Sequence, residues 1–345
     1  MSTKNSQQNR YSFIFVLIVI SAFIFAMIKS LNGGFDGFET NFYEKKFLVG
    51  SISNLRYLLG DHVFPQVLIG KDGWLNFNSD GNLEDYQNSN LFIDKLEGIH
   101  QQITMLNQKL KARGIMLIVV VPPNKETIYS NKVPDEIKKL GDRSRLDLFL
   151  AMFDKPDSPI VLDLRPALKH ASGDYQVYYK TDTHWNAYGA YVAYREILNR
   201  ASQVYPDLQP YSLNEFEFTE TPPTPRDLAR IMGGDFLTES GSAAQPKFQS
   251  TTFFERIQPL SNISMSWSND INKRKLLIYH DSFGDALNSY LQYSFSEAVY
   301  VRNGTYECPT TGAWIDTFEP EVIIIEIVER NLIYLDNLMS NLTCE

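Results

Sequence analysis

The stretch "KLLIYHDSFGDAL", residues 275 to 287, decides the fold. Its first six residues form an apolar-rich run of strand length, the pattern of a strand buried on both faces. The chain then turns polar at Asp281 and Ser282, and "GDALNSYLQY" behind them has helical spacing. A strand that delivers a serine to its carboxyl end, directly ahead of a helix, belongs to an open α/β sheet, where chemistry gathers at the carboxyl ends of strands. The helix start behind Ser282 also offers free N–H groups and the positive end of a dipole.

Outward from this unit the same signals recur. "IMLIVVV" (115–121), "IVLDL" (160–164), "EAVYV" (297–301) and "EVIIIEIV" (321–328) each read as a buried strand. Helical spacing covers 90–114, closed by Gly114, then 143–154, and 186–200 with Asn186 as N-cap. Strands alternating with helices predict an α/β protein with a mostly parallel sheet covered on both faces. Residues 33–90 read as turns and short strands. Residues 202–270 read as loop-rich, with "TETPPTPRDL" and "SGSAAQPKFQSTT".

The 345 residues carry a formal net charge of −9. That excludes broad electrostatic binding of nucleic acid, which needs a basic footprint. Segment 11–28, "YSFIFVLIVISAFIFAMI", holds no charge, and at about 1.5 Å per residue it is long enough to span a bilayer. Lys4 and Arg10 precede it, Lys29 follows, and no A-x-A cleavage site comes after it. The expectation is an uncleaved signal-anchor: a short cytoplasmic tail at 1–10, one transmembrane helix at 11–28, and an extracytoplasmic domain at 33–345. A cleaved signal peptide is the alternative. The implied location is the inner (cytoplasmic) membrane, single-pass, with the catalytic domain in a periplasm or cell-wall space. The two cysteines, Cys308 and Cys344, form either a disulfide or two free thiols. No clustered His/Cys set supports a zinc site.

A serine hydroxyl is a poor nucleophile until a base takes its proton, and a histidine held by a carboxylate does this near neutral pH. In "TDTHWN" (181–186), Asp182 and His184 stand two apart in a loop and can turn toward one site. With Ser282 they make a candidate triad: nucleophile Ser282, base His184, orienting acid Asp182. The N–H of Ser282 is the natural first oxyanion donor. Gly233 or Gly234 in "RIMGGDF" is a candidate for the second. Each short motif alone is weak: a serine after a strand is common at helix starts, and a D-x-H pair can be a loop hydrogen bond. His280, although beside Asp281, reads as strand packing.

Six segments carry a resemblance: "GKDGWLN" (70–76), "VPPNKETIY" (121–129), "TDTHWN" (181–186), "RDLARIMG" (226–233), "YHDSFGD" (279–285) and "EIVERN" (326–331). In this order they resemble the SGNH-hydrolase-like polysaccharide O-acetyltransferases of the alginate acetylation type, the AlgJ/AlgX family. The resemblance implies an SGNH-hydrolase-like three-layer sandwich with circularly permuted motif order, since D-x-H precedes the serine here and follows it in ordinary SGNH enzymes. It implies Asp182, His184 and Ser282 as triad, and an acetyl group passing through Ser282 to a polysaccharide hydroxyl. It also implies no bound cofactor, the acetyl group being supplied by a multi-spanning membrane-bound O-acyltransferase. Arg226 is a departure, standing where the family pattern has glycine. No carbohydrate-binding module is legible after "VERN".

The remaining motif positions have two readings each. Lys125 meets an anionic substrate or caps a loop. Arg330 pairs with Glu329 or lines the site. Trp185 stacks on a sugar or pins the His184 loop. Lys71 to Trp74 read as a structural turn. Two further functions stay open on sequence alone: an exported carbohydrate or lipid esterase, if water replaces the sugar hydroxyl, and a non-catalytic scaffold of an export complex.

Overall fold

The computed structural model describes residues 45–257, 262–268, 274–303 and 310–343, with scattered positions between 17 and 28. Two compact units result, Met1–Asp61 with Gly233–Asp235, and His62–Met232 with Phe236–Glu345. Helix α1 (Lys45–Leu58) belongs to the first. The sheet and the helices packed on it belong to the second.

Chain order there is β1 (Val67–Ile69), β2 (Leu75–Phe77), α2 (Asn82–Gln87), α3 (Ile93–Ala112), β3 (Met116–Val121), α4 (Lys125–Ile128), α5 (Arg145–Met152), β4 (Ile160–Asp163), α6 (Arg165–Ala171) and α7 (Ala187–Ala201). Then come β5 (Phe216–Thr224), α8 (Asp227–Ile231), β6 (Glu239–Pro246), β7 (Phe253–Arg256), β8 (Ile263–Trp267), β9 (Lys275–His280), α9 (Gly284–Leu291), β10 (Glu297–Arg302), α10 (Thr310–Phe318), β11 (Val322–Glu326) and α11 (Leu335–Thr343).

Seven strands form one mixed sheet in the order β4-β3-β11-β9-β10-β8-β7. The first five are parallel; β8 and β7 extend the sheet antiparallel. Register aligns Ile118, Ile324, Ile278 and Tyr300 in one row, and all four enter one core. The next row, Val119, Ile325, Tyr279 and Val301, enters the other. Period-two alternation therefore sends each strand's side chains to two apolar layers, which is why these runs are apolar without a break. Leu168 of α6, Tyr194 and Leu198 of α7, and Leu287 and Leu291 of α9 close the first layer. Leu96, Ile99, Ile103 and Leu110 of α3, Phe149 of α5, and Leu338 and Met339 of α11 close the second. Each such side chain contributes about 1.5–3 kcal/mol by leaving water.

Three expectations change. "IVLDL" is not buried on both faces: β4 is the sheet edge, and its residues are half-buried or exposed. The loop-rich segment 202–270 holds β7 and β8, and β5 and β6, which pair as a separate two-stranded antiparallel arm. The single-pass membrane placement is overturned: among the described residues no helix is long and apolar enough to cross a membrane. The stretch 11–28 falls, but for isolated positions, outside the described residues, as do Cys308 and Cys344.

Candidate active site

Ser282 lies between β9 and α9, at the carboxyl edge of the parallel sheet. Asp281 fixes this turn: its carboxylate accepts from the N–H of Phe283 at 2.8 Å and from that of Val328, just past β11, at 2.9 Å. The N–H of Asp281 in turn donates to buried Glu326 at 3.0 Å. Only glycine fits at position 284, because a Cβ there would come within 2.5 Å of His280 Cβ and ring atoms. His280 is buried, and its Nδ1–H donates to the Asp281 carbonyl at 2.7 Å, so its side chain serves the turn rather than the serine hydroxyl. Among the described residues nothing accepts a hydrogen bond from the N–H of Ser282.

The loop that faces it is closed by an antiparallel bridge between Tyr178 and Trp185, and by Asn186 N–H to Val177 C=O at 3.0 Å. Asn186 caps α7, its side chain accepting from Gly189 N–H at 3.1 Å. Inside the loop, Asp182 Oδ1 accepts both the backbone N–H of His184, at 3.0 Å, and its Nδ1–H, at 2.6 Å. The two-residue spacing is thus an Asx-type turn that aims the imidazole. His184 Nε2 lies 2.7 Å from Ser282 Oγ. A carboxylate only accepts, so in the neutral ring the proton sits on Nδ1 and Nε2 is free to take one from the serine.

A second carboxylate reaches the same imidazole. Asp227, the first residue of α8, places Oδ2 3.4 Å from His184 Nδ1, and it accepts from Thr183 N–H and Oγ1–H at 2.8 and 2.5 Å. Burial works against charge on the ring, but hydrogen bonds to Asp182 and Asp227 and their charges outweigh it and push the His184 pKa up to about 9. For Asp227 burial also opposes charge, and the hydrogen bond and charge of His184 outweigh it, holding the carboxyl well below the usual range. These three side chains bring ligand-type atoms within 4.8 Å of one another. Their mutual hydrogen bonds, with Ser282 on the far nitrogen, account for that closeness.

Two groups clamp the loop. Lys125, 2% exposed, donates from Nζ to the carbonyls of Tyr179, Lys180 and Asp182 at 3.3, 3.0 and 2.6 Å. Burial pulls its pKa down. Glu239, at the start of β6, accepts from Lys180 N–H, Thr181 N–H and Thr181 Oγ1–H at 2.8–3.0 Å. The reading of Lys125 as a contact for an anionic substrate is therefore corrected: its charge is spent on three carbonyls inside the protein.

Other expected positions resolve as follows. Trp185 is 2% exposed and donates Nε1–H to the Phe283 carbonyl at 3.1 Å, so it pins the loop to the nucleophile turn and offers no face to a sugar. Arg330 forms no ion pair with Glu329. Glu329 accepts from Asn124 N–H and Thr127 Oγ1–H, each at 2.8 Å, while the Arg330 guanidinium lies over the rings of Phe77 and Phe283 at 5.7 and 5.5 Å. Gly233 and Gly234 group with the first unit, where Gly233 has φ +74° and lies against Val49. Lys71 to Trp74 form a turn held by Lys71–Asp135 at 2.6 Å, and Leu75 N–H after it braces the Lys180 carbonyl at 2.9 Å. Arg226 stacks its guanidinium 4.2 Å from the Tyr179 ring centre. Asp227 and Glu239 were not singled out from the sequence. Both sit in a segment whose composition signals only loop, and nothing local marks either as a partner of a loop more than 40 residues earlier.

Residues 67–262, more than half of the chain, match the family described as SGNH hydrolase-like domain, acetyltransferase AlgX. The chain belongs to this family. It is accordingly an enzyme of the acetyltransferase class. A relative, the probable alginate O-acetylase AlgJ of Pseudomonas fluorescens, is 25% identical over 324 residues, covering 88% of this chain and 78% of that protein. Among solved structures, Bacillus cereus PatB1 superposes with a TM-score of 0.59 at 18% identity, over 77% of this chain and 96% of that one. The O-acetyltransferase domain of Pseudomonas putida AlgJ gives 0.53 at 19% identity, over 78% and 93%. At these identities the structures establish a shared SGNH-like α/β fold with a mixed sheet.

Proposed function

We propose that this chain is a polysaccharide O-acetyltransferase that works through an acetyl-Ser282 intermediate. The observation that carries the mechanism is the linear chain of hydrogen bonds from Asp182 Oδ1 through His184 to Ser282 Oγ, 2.6 and 2.7 Å. Membership of an acetyltransferase family and the alginate O-acetylase relative support acetylation of a polysaccharide.

In the first half-reaction Ser282 passes its proton to His184 Nε2 as Oγ attacks the acetyl carbonyl of a donor. The carbonyl bond to the leaving group breaks, and the leaving group takes the proton back from His184. In the second, a sugar hydroxyl gives its proton to His184 and attacks the acetyl-serine; the acetyl moves to the sugar and Ser282 regains its proton. Each tetrahedral oxyanion needs donors in place before charge develops. The uncommitted N–H of Ser282 is one. The second is Arg330: its guanidinium has no carboxylate partner among the described residues, and it is held against Phe283, next to the nucleophile. No cofactor enters these steps. The acetyl donor is loaded by a separate membrane-bound O-acyltransferase, as the family resemblance suggests. The order of Asp182 and His184 before Ser282 supports the circularly permuted reading.

The test is turnover of a chromogenic acetyl ester with and without oligosaccharide acceptors. The expected result is acetylated sugar that disappears in Ser282→Ala and His184→Ala. Acetate release with no sugar product under any acceptor would replace the transferase with an esterase, and absence of both reactions in wild type would leave the scaffold reading standing.

A further inference from the structure

Beside the His184 loop lies a cleft of about 340 Å³, walled by the β5–β6 arm and by residues on both sides of that loop. The proposed function does not use it. Three rings form its aromatic side: Tyr175 stacks on Tyr188 at 4.8 Å and 11°, and Tyr188 on Phe218 at 4.1 Å and 7°. Tyr188 and Phe218 pack on the core, while Tyr175 is 44% exposed and its side chain makes no hydrogen bond, ion pair or further ring contact among the described residues. An aromatic ring standing in water at the end of a fixed stack is a pre-ordered platform: the ring gives up little freedom when something covers it. What covers such a face well is a flat body with C–H groups on one side and hydroxyls around its edge.

The rest of the lining is polar. The Tyr179 hydroxyl accepts weakly from Ser242 N–H at 3.5 Å, and its own proton has no acceptor among the described residues. Glu220 lines the cleft as its charged side chain and makes no hydrogen bond or ion pair among the described residues. A free donor and a free carboxylate suit vicinal hydroxyls, which both give and accept hydrogen bonds. The same carboxylate repels another carboxylate.

We infer that this cleft is an acceptor subsite for a neutral hexopyranose unit, stacked on Tyr175 and hydrogen-bonded by Tyr179 and Glu220. The volume is at the lower end for a small-ligand site and fits one ring with its substituents. The loop joins it to the chemistry, since Tyr179 N–H bonds the His184 carbonyl at 3.3 Å. The inference rests on the acetyltransferase reading for its biological meaning, but its test does not.

Binding is measured by calorimetry on the full chain carrying Ser282→Ala, so that failure of the acyl-transfer chemistry leaves this result untouched. The probes are hexasaccharides of glucose and of mannose, and a hexauronate. The neutral probes are expected to bind, with Tyr175→Ala weakening them roughly tenfold and Tyr175→Phe retaining them. Glu220→Gln is expected to weaken the neutral probes and to improve the uronate. The inference is overturned if no neutral probe binds, if Tyr175→Ala leaves affinity unchanged, or if wild-type cleft residues favour the uronate.

Discussion

His184 stands between two acids and one alcohol, and its proton is the variable on which the chemistry turns. Asp182 supplies both tautomer and direction, because one of its oxygens holds backbone and ring of the same histidine. Asp182→Asn keeps the shape but inverts the hydrogen-bond demand, and kcat is expected to fall by roughly 10³–10⁴, the scale at which a wrong tautomer disables a serine triad. Asp227 acts more gently, adding negative charge beside Nδ1 without contact to the serine. With the His184 pKa near 9, imidazolium dominates at neutral pH, and the active neutral base grows as pH rises. Removing one of the two charges lowers that pKa. Asp227→Asn is therefore expected to move the acidic limb of the kcat/KM profile to lower pH, read from rates between pH 5 and 10. An unmoved limb would deny Asp227 its positioning role. Sequence showed Asp182, His184 and Ser282 as chemistry-bearing residues because each has a local signature. It could not show Asp227, whose relation to His184 exists only after α8 has packed beside the loop.

The element that matters most is the loop 178–186, and it is held from outside as well as by its own Tyr178–Trp185 pairing. Lys125 and Glu239 satisfy its backbone from opposite types of group, a cation on carbonyls and an anion on N–H groups. Lys125→Met leaves three carbonyls without that donor at a cost of about 1–3 kcal/mol. The expected signature is a lower unfolding midpoint together with a lower kcat. The turn between β9 and α9 makes a second case. Alanine at Gly284 gains up to about 1 kcal/mol of helix propensity. Its Cβ would nevertheless stand 2.5 Å from His280, and overpacking of that kind costs about 1–3 kcal/mol. Gly284→Ala is thus expected to destabilise, measured by chemical denaturation, and a stabilised variant would show that the turn yields. Strands β3, β9, β10 and β11 were legible because burial on both faces demands uninterrupted apolar residues. Strands β7 and β8 were not: "FFER" at the sheet edge and "ISMSW" beside it mix polar and apolar residues, and such patterns do not separate from loop.

For the whole molecule, the sheet divides two cores and brings the loop of Asp182 and the turn of Ser282 to one edge, although 98 residues separate His184 from Ser282. The same histidine links stability to pH. Its folded pKa, near 9, exceeds its ordinary unfolded value, near 6.5, so the folded chain binds the extra proton more tightly. That contribution is fully present below about pH 6.5 and is lost as pH rises through about 9. Wild type is expected to lose thermal stability relative to His184→Gln across this window, while its catalytic rate rises. The fold class was readable from the alternation of apolar strands and helices. The arm of β5 and β6 was not, because apart from Phe216 and Gly241 its residues are half-buried or exposed and form no apolar run.

The central claim is covalent, and it is tested most directly by peptide mass spectrometry of the full chain after brief exposure to an acetyl ester and acid quench. The account predicts one added acetyl group on the peptide containing Ser282, absent in Ser282→Ala and His184→Ala, and lost when an oligosaccharide acceptor is added. Turnover with acetyl found on another residue, or with none on Ser282 at any time, would contradict it.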